Sequence, residues 1–525
     1  MDRRTLLAAG TGAAATAAWL VTADTGQAAV STTRAAVGRS LAGVGLGSAG
    51  RRGPADADWA ALDRGLGGGL IRPGEAHWST ARQLYNTRFD TLRPAAVAYI
   101  ANNADVAECL AFARRHKVPV SIRNGGHSYA GYSSGNGRLV IDVSKLNRVT
   151  SGSTATIGAG AKLIDVYNRL GAHGRTVPGG SCPTVGITGL TLGGGHGVVS
   201  RAYGLTCDSL VGATLVTADG RTLECDKDHH SDLFWALRGA GNGNFGVVTE
   251  LRFRTHSTPD AASAYLSWPW SKAAKVIRAW QEWGPGQPDE IWSAAHLSAA
   301  AGGTPRITVS AFSIGSYSGL KNAVDRLIDR VGAPTTTTSV RRRAYRDAMN
   351  MYAGCADYSN EQCHLPGATP GRRAGGKLAR ETYTARSDFY DRSLSAAGIR
   401  VLIDRTERFS RSGGSGAGSI QLTALGGAIN RVPTGATSFV HRDSRVLAQY
   451  LTSYPANSSG STQTAWLDDL HGAMRRHSSG AAYQNYTDAK LGDWRRAYYG
   501  TATDRLTRLK KKYDPERLFD FPQAL

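Results

Sequence analysis

The chain reads as an α+β protein of two domains. Three observations point there. Its 525 residues exceed what one small core organises. From about Asp90 to residue 256, short apolar runs alternate with amphipathic helices. From Ala262 to about Val446, strands are broken by helices that pack on them, the pattern of a second α+β domain over one antiparallel sheet.

The elements follow in order. AAVAYIA is a strand. NADVAECLAFARRHK opens on the capping pair Asn103 and Asp105, and its apolar residues Val106, Cys109, Leu110 and Ala113 share one helical face. VPVSIRNGG is a strand ending in a glycine turn, and RLVIDVSKL and TATIGAG are further strands. KLIDVYNRLGAHG is a helix closed by glycine. LVGATLVTADGRTLEC is a hairpin with Asp219 and Gly220 at its turn. SDLFWALRGAGNGNFGVVTELRFRT is a capped helix, a glycine loop and a strand. In the second domain SAYLSWPW, RITVSAFSIG and SIQLTALGG read as strands, and LKNAVDRLIDRVG and RSLSAAGIRVLIDRTERFS as helices. From about Gln463 the tail returns to helices around one polar-aromatic turn, AAYQNYTDAKLGDW.

Charge and composition narrow the partners. The formal net charge is +21, yet the basic residues are scattered and form no dense stripe, so nucleic acid is not an expected partner. The first residues, MDRRTLLAAGTGAAATAAWL, place Arg3 and Arg4 before an Ala/Gly-rich apolar stretch. They resemble a twin-arginine export signal, cut near Ala28 and Ala29, rather than a membrane anchor. No apolar run reaches the ~20 residues of a bilayer span. Residues 30–55 read as a disordered spacer. A monomer exported in the folded state is expected, and that export route itself hints at a cofactor. Of six cysteines, Cys355 and Cys363 flank the polar loop CADYSNEQC and are the best disulfide candidates. Cys109 reads as a buried, inert thiol, and no spacing matches a metal site.

Glycine is abundant, at 64 residues, and concentrated in RNGGHSYAG, GGSCPTVGITGLTLGGGHG and GAGNGNFG. A dinucleotide fingerprint needs strand, then G-x-G-x-x-G, then helix. GAGNGNFG follows a helix and precedes a strand, the reverse order. Three such loops imply instead that backbone N–H groups approach one large bound ligand.

Taken together, RNGGHSYAG, GGSCPTVGITGLTLGGGHG, YGLTCDSL, DLFWALRGAGNGNFGVVT, AAYQNYTD and the closing YYG…RLTRLKKKYDPERLFDFPQ resemble the berberine-bridge-enzyme-like FAD-linked oxidases of secreted bacterial type. These belong to the vanillyl-alcohol-oxidase, or PCMH-type, fold family. The resemblance runs from about residue 80 to the C-terminus. It implies a two-part FAD-binding domain, residues 56–256 and 461–525, with an antiparallel-sheet-plus-helices substrate domain, 257–460, inserted between them. The signal would occupy residues 1–29.

By the same resemblance, FAD would be bound covalently through His127 to the flavin 8α carbon and through Cys182 to C6. Arg123, Asn124, Gly125, Gly126 and Ser128 would cradle it from the first motif. Val185, Gly186, Gly189, Leu192, Gly193, Gly194 and Gly197 would do so from the second, with Gly246, Val248 and Asn485 further on. The chemistry agrees, since imidazole and thiolate are nucleophiles that add to an electron-poor ring. Tyr486 of the Y-x-N-Y motif would be the base for an alcohol proton, with Tyr483 assisting and hydride passing to the flavin. A phenol of ordinary pKa ~10 needs a cation or the flavin nearby to serve so. Gln421 and Thr423, alternate residues of one strand, would orient substrate or base. Val185 is a small residue where the family's oxygen-reactive members have one, so O2 would be the acceptor and H2O2 the product. Two departures stand out. Ala502 replaces a family Asn, and SIQLTALGG lacks the glutamate of the berberine-forming members.

The expected substrate is a small-molecule alcohol, with a sugar or oligosaccharide leading. A tailoring oxidase of a glycosylated or alkaloid-like product is the alternative, and Trp268 and Trp270 would line either pocket. A non-catalytic carbohydrate-binding protein is the reading from another class. The intact motifs speak against it.

Overall fold

The computed structural model describes residues 53–525. The export signal and nearly all of the spacer read from sequence lie outside them.

Two small sheets form the first domain. In one, Leu70–Ile71, Ala96–Tyr99, Leu139–Asp142 and Val120–Arg123 lie side by side, the last three parallel. The helix Asn103–His116 carries the chain from Ala96–Tyr99 to Val120–Arg123, and Leu139–Asp142 then lies between those two strands. The helix's apolar face is buried as expected, and its cap is Asn102, one residue earlier than Asn103. The Asn102 side chain accepts from the Asp105 N–H at 2.9 Å. The second sheet is antiparallel, in the order Thr154–Gly158, Val247–Arg254, Leu210–Val216, Thr222–Asp226. Its Asp-Gly hairpin forms where the sequence put it, with Gly220 at φ 89°. The helix Ser231–Leu237 forms without the side-chain cap expected for it. One correction concerns the glycine stretch, which contains a helix, Ile187–Leu192, buried through Ile187, Thr188, Thr191 and Leu192.

The second domain is one seven-stranded antiparallel sheet. Only three of its strands were legible. Ile291–Ala300, Thr336–Arg343 and Tyr383–Tyr390 were missed, because alanine, serine and charged residues dilute their β signal, and Val446–Ser453 was missed although Val446, Tyr450 and Thr452 favour a strand. Ile420, Leu422, Ala448 and Tyr450 point to a core shared with the helices Ala273–Trp283, Tyr317–Val331 and Ala396–Ser410. Alternate residues Gln421, Gln449 and Leu451 point the other way. The register sets Gln421 opposite both His296 and Gln449.

Two segments sit differently from the sequence division. The helix Ser461–Arg475, assigned to the C-terminal part, packs on this sheet and on Ala396–Ser410. The helix Tyr345–Tyr352, within the inserted part, buries its apolar residues in the first domain's core. The Cys355–Cys363 disulfide forms beside it, and Cys109 is fully buried. Trp268 and Trp270 pack on the helix side, where their indoles donate to the Gly332 carbonyl and to Glu407. They therefore face away from the sheet's open side.

Buried arginines join the domains. Arg442 makes a two-pronged ion pair with Asp208, at 2.7 and 2.9 Å. Arg201 donates to the carbonyls of Ile291, Gln287 and Leu425.

Candidate active site

A cavity of about 330 Å³ opens between the first domain and the open face of the seven-stranded sheet. That is the size of a small-molecule site. The two histidine and cysteine motifs form one wall. Asn124, Gly125, Gly126, His127 and Ser128 line it beside Cys182, Val185, Gly186, Gly189, Leu192 and Gly197. Gly246, Val248, Gln421, Tyr483, Asn485 and Tyr486 complete it from other elements.

The glycines have a local reason. A Cβ on Gly125 would stand 2.5 Å from the Gly186 nitrogen, so the two motifs pack backbone to backbone. At Gly189 a Cβ would meet nothing within 4 Å, which leaves that wall open to a ligand.

His127 and Cys182 belong to one microenvironment. His127 Nε2 is 2.9 Å from the hydroxyl of Thr184, two residues beyond the cysteine. Tyr85 stacks on the imidazole. Burial, helped by the Lys162 charge, pushes the His127 pKa down to about 3, so the ring is neutral and nucleophilic at physiological pH. Lys162 itself is held behind the wall by Asn124 and Ser144 and is pushed down to about 8 by burial. Cys182 faces a cluster of phenols. Tyr85, Tyr129, Tyr383 and Tyr486 are raised mainly by burial and further by the nearby sulfur.

The C-terminal tyrosines part company. The 3-10 turn Gln484–Tyr486 separates their directions. The Tyr483 hydroxyl accepts from the Gly195 N–H and from Asn485 Nδ2, both at 2.8 Å. Those bonds pin it to the glycine strap. Tyr486 instead points its hydroxyl to His196 Nε2, at 2.9 Å, and lies parallel to Tyr129, ring centroids 5.2 Å apart. Gln449 donates to the Tyr129 hydroxyl at 2.7 Å.

Four residues assigned to the site stand off its wall. Arg123 is buried beneath it, paired with Asp142 and donating to the Ala81 carbonyl, because an unpaired buried guanidinium would be costly. Gly193 faces Asn485 and Asn242, and Gly194 faces Phe439. Thr423 accepts from Gln421 Nε2 at 3.0 Å and so stands behind the residue that lines the cavity.

The wall also fits FAD by its unmet polar groups. Ser133 Oγ, Asn242 Oδ1, Gln484 Oε1 and Gln523 Oε1 belong to wall residues and are buried without a protein partner. An orphaned buried polar atom costs about 1–3 kcal/mol, so such a set matches a ligand bearing hydroxyl and N–H donors. FAD carries both. No Lys or Arg lines the cavity among the described residues, which leaves backbone N–H groups to meet a phosphate.

Known proteins agree with this geometry. Residues 94–226 match the FAD binding domain family, and residues 482–525 match the family described as "Berberine and berberine like". An uncharacterized FAD-linked oxidoreductase of Bacillus subtilis is 31% identical over 88% of this chain and 97% of its own length. The chain belongs to the berberine-bridge-enzyme-like FAD-linked oxidoreductases. A chitooligosaccharide oxidase of Gibberella zeae is also 31% identical, over 86% of this chain and 91% of its own. Among solved structures, a berberine-bridge-enzyme-like protein of Physcomitrella patens matches with a TM-score of 0.79 at 29% identity, covering 89% of this chain and 98% of its own.

For this oxidoreductase, sequence reasoning missed Tyr85, Tyr129, Tyr383 and His196 on the wall. His196 had a signal, since it sits inside the quoted GGGHG. The tyrosines lie in segments read as turns or not read at all. Of the two partners expected for Tyr486, a cation or the flavin, no Lys or Arg is found among the described residues lining the cavity, and a histidine stands beside the phenol.

Proposed function

We propose that this oxidoreductase oxidises a neutral, hydroxyl-rich alcohol, a saccharide first of all, with covalently held FAD and with O2 as the acceptor, releasing H2O2. The observation that carries the substrate reading is the wall itself. Tyr85, Tyr129, Tyr132, Tyr383, Tyr483 and Tyr486 line the cavity, and Asp520, paired with Arg517, is its only Asp, Glu, Lys or Arg among the described residues. Aromatic faces pack on the C–H faces of a sugar, and amide and phenol groups orient its hydroxyls. The relatives named as chitooligosaccharide and xylooligosaccharide oxidases support the same class.

When bound, FAD supplies the two-electron oxidation. The protein does the rest. His127 and Cys182 are the residues that would hold the ring covalently. Gln421 reaches the cavity from the sheet and orients the substrate. Tyr486 accepts the substrate's hydroxyl proton at its phenolic oxygen. Val185, a small side chain on the wall, leaves room for O2.

We also propose export through the signal bearing Arg3 and Arg4. The Cys355–Cys363 disulfide suits an oxidising compartment. No helix among the described residues is long and apolar enough to cross a membrane. Replacing both arginines by lysine should leave the protein inside the cell.

The deciding experiment screens mono- and oligosaccharides against purified, yellow enzyme, following loss of flavin colour without oxygen and peroxide release with it. Bleaching and peroxide with a saccharide support the reading. A coloured enzyme that no alcohol bleaches overturns it.

A further inference from the structure

We propose that His196 is the proton acceptor behind Tyr486, so that the base of this site is a tyrosine–histidine pair rather than a phenolate. The proposal rests on the alcohol-oxidising reading for its proton, and on geometry of its own.

Tyr486 and His196 are 290 residues apart in sequence, yet the phenol oxygen and Nε2 are 2.9 Å apart. A phenol has one proton and two lone pairs. If it donates its proton to Nε2, a lone pair is left for the cavity that both residues line. His196 is placed with care. Gly194 and Gly195 bend the strap beneath it at φ 114° and 79°, and the Gly195 N–H is held by the Tyr483 hydroxyl. The Tyr483 ring also stands 5.5 Å from the imidazole. Tyr483 is therefore a positioning residue for His196, which accounts for its buried hydroxyl pointing at the strap.

The alternatives are unfavourable here. Burial pushes the Tyr486 phenol well above its ordinary value, and Tyr129, Tyr483 and Cys182 add to that. A standing phenolate is thus costly. Burial pushes His196 down to about 4, so it rests neutral and can accept the phenol's hydrogen bond; the same burial disfavours its imidazolium, which therefore forms only in passing, as the substrate is oxidised. The titratable groups packed on it are the phenols of Tyr483 and Tyr486.

The step balances. The substrate O–H bond breaks and its proton joins the Tyr486 oxygen. The proton that Tyr486 held moves to His196 Nε2. The carbinol carbon gives its hydrogen and two electrons to the oxidant, FAD, and becomes a carbonyl. The imidazolium then returns its proton to water.

The test uses the holoenzyme. In histidine-selective 15N NMR, His196 Nε2 should give the signal of an unprotonated acceptor, and Tyr486→Phe should shift it. An Nε2 that carries its proton in the resting enzyme overturns the pair, and this readout needs no turnover or folded His196 variant. In kinetics, His196→Gln keeps an acceptor atom but cannot take a proton. It should lower kcat on the order of 100-fold or more, with KM little changed. Its kcat should rise toward high pH, where Tyr486 ionises unaided. Imidazole should restore turnover to His196→Ala. Unchanged kcat and pH profile in His196→Gln overturn the proposal even though the wild type oxidises alcohols. A wild type that oxidises none sinks the functional reading instead and leaves the NMR result to judge the pair.

Discussion

The ring of Tyr85 lies against the imidazole of His127, centroids 4.0 Å apart and planes 19° apart. Thr184 holds Nε2 of the same ring at 2.9 Å. The histidine is thus fixed in orientation before any ligand bonds to it. Flavin fluorescence on a denaturing gel should survive in His127→Ala and in Cys182→Ala, each keeping one link, and vanish in the double variant. Tyr85→Ala should slow flavin attachment without abolishing it. Fluorescence that persists in the double variant would show that other residues carry the bond.

Glu381 presses on Tyr85 from behind, with one carboxyl oxygen buried and unpartnered. Burial raises its pKa to about 8, against a smaller lowering by the Tyr85 hydrogen bond. The unfolded value is about 4.3. Between these values the folded state binds the extra proton, so stability falls as pH rises from the lower value to about 8. Glu381→Gln should flatten that fall in urea melts taken from about pH 5 to pH 8. The same slope in wild type and variant would rule the group out.

The Asp208–Arg442 pair is buried on both sides, with side chains 6% and 1% exposed. Asp208→Asn leaves a guanidinium without its counter-charge. A loss of about 3–5 kcal/mol is expected in chemical denaturation. A loss below about 1 kcal/mol, the worth of an exposed pair, would mean that water reaches the site.

The Cys355–Cys363 bridge spans a sequence separation of 8, and its loop docks on the helix Leu163–Gly171 through Asn360, whose Nδ2 donates to Asp165 at 3.1 Å. Chain-entropy arguments give about 2.5 kcal/mol for so short a loop. Replacing both cysteines by serine should lower the thermal midpoint by a few degrees. The flavin spectrum should stay unchanged, since neither cysteine lines the cavity.

Much of the fold and part of the site could be read in advance. The helix Asn103–His116, the Asp219–Gly220 hairpin and the disulfide rest on local rules of spacing, turn chemistry and compartment. Local rules fail where context decides. IWSAAHLSAA carries little β propensity of its own and becomes a central strand because neighbours on both sides supply its hydrogen bonds. The helix Ser461–Arg475 looks like part of a tail, but its apolar stripe fits the inserted sheet.

The site divides in the same way. Histidine and cysteine among glycines, and tyrosines around an asparagine, were enough to pick out residues of the cavity wall, because reactive side chains and backbone approach are properties of short stretches. The sequence by itself therefore determined the two-domain α+β class and the family, and it marked His127, Cys182 and Tyr486 as candidates, which the fold brings to one cavity. Only the tertiary structure decided that Arg123 is sunk in an ion pair, that Tyr483 braces a strap, and that His196 meets Tyr486 from 290 residues away. The reason is physical. A hydrogen bond or ion pair between distant residues depends on where whole elements pack, and packing answers to the summed burial of many side chains rather than to any one motif.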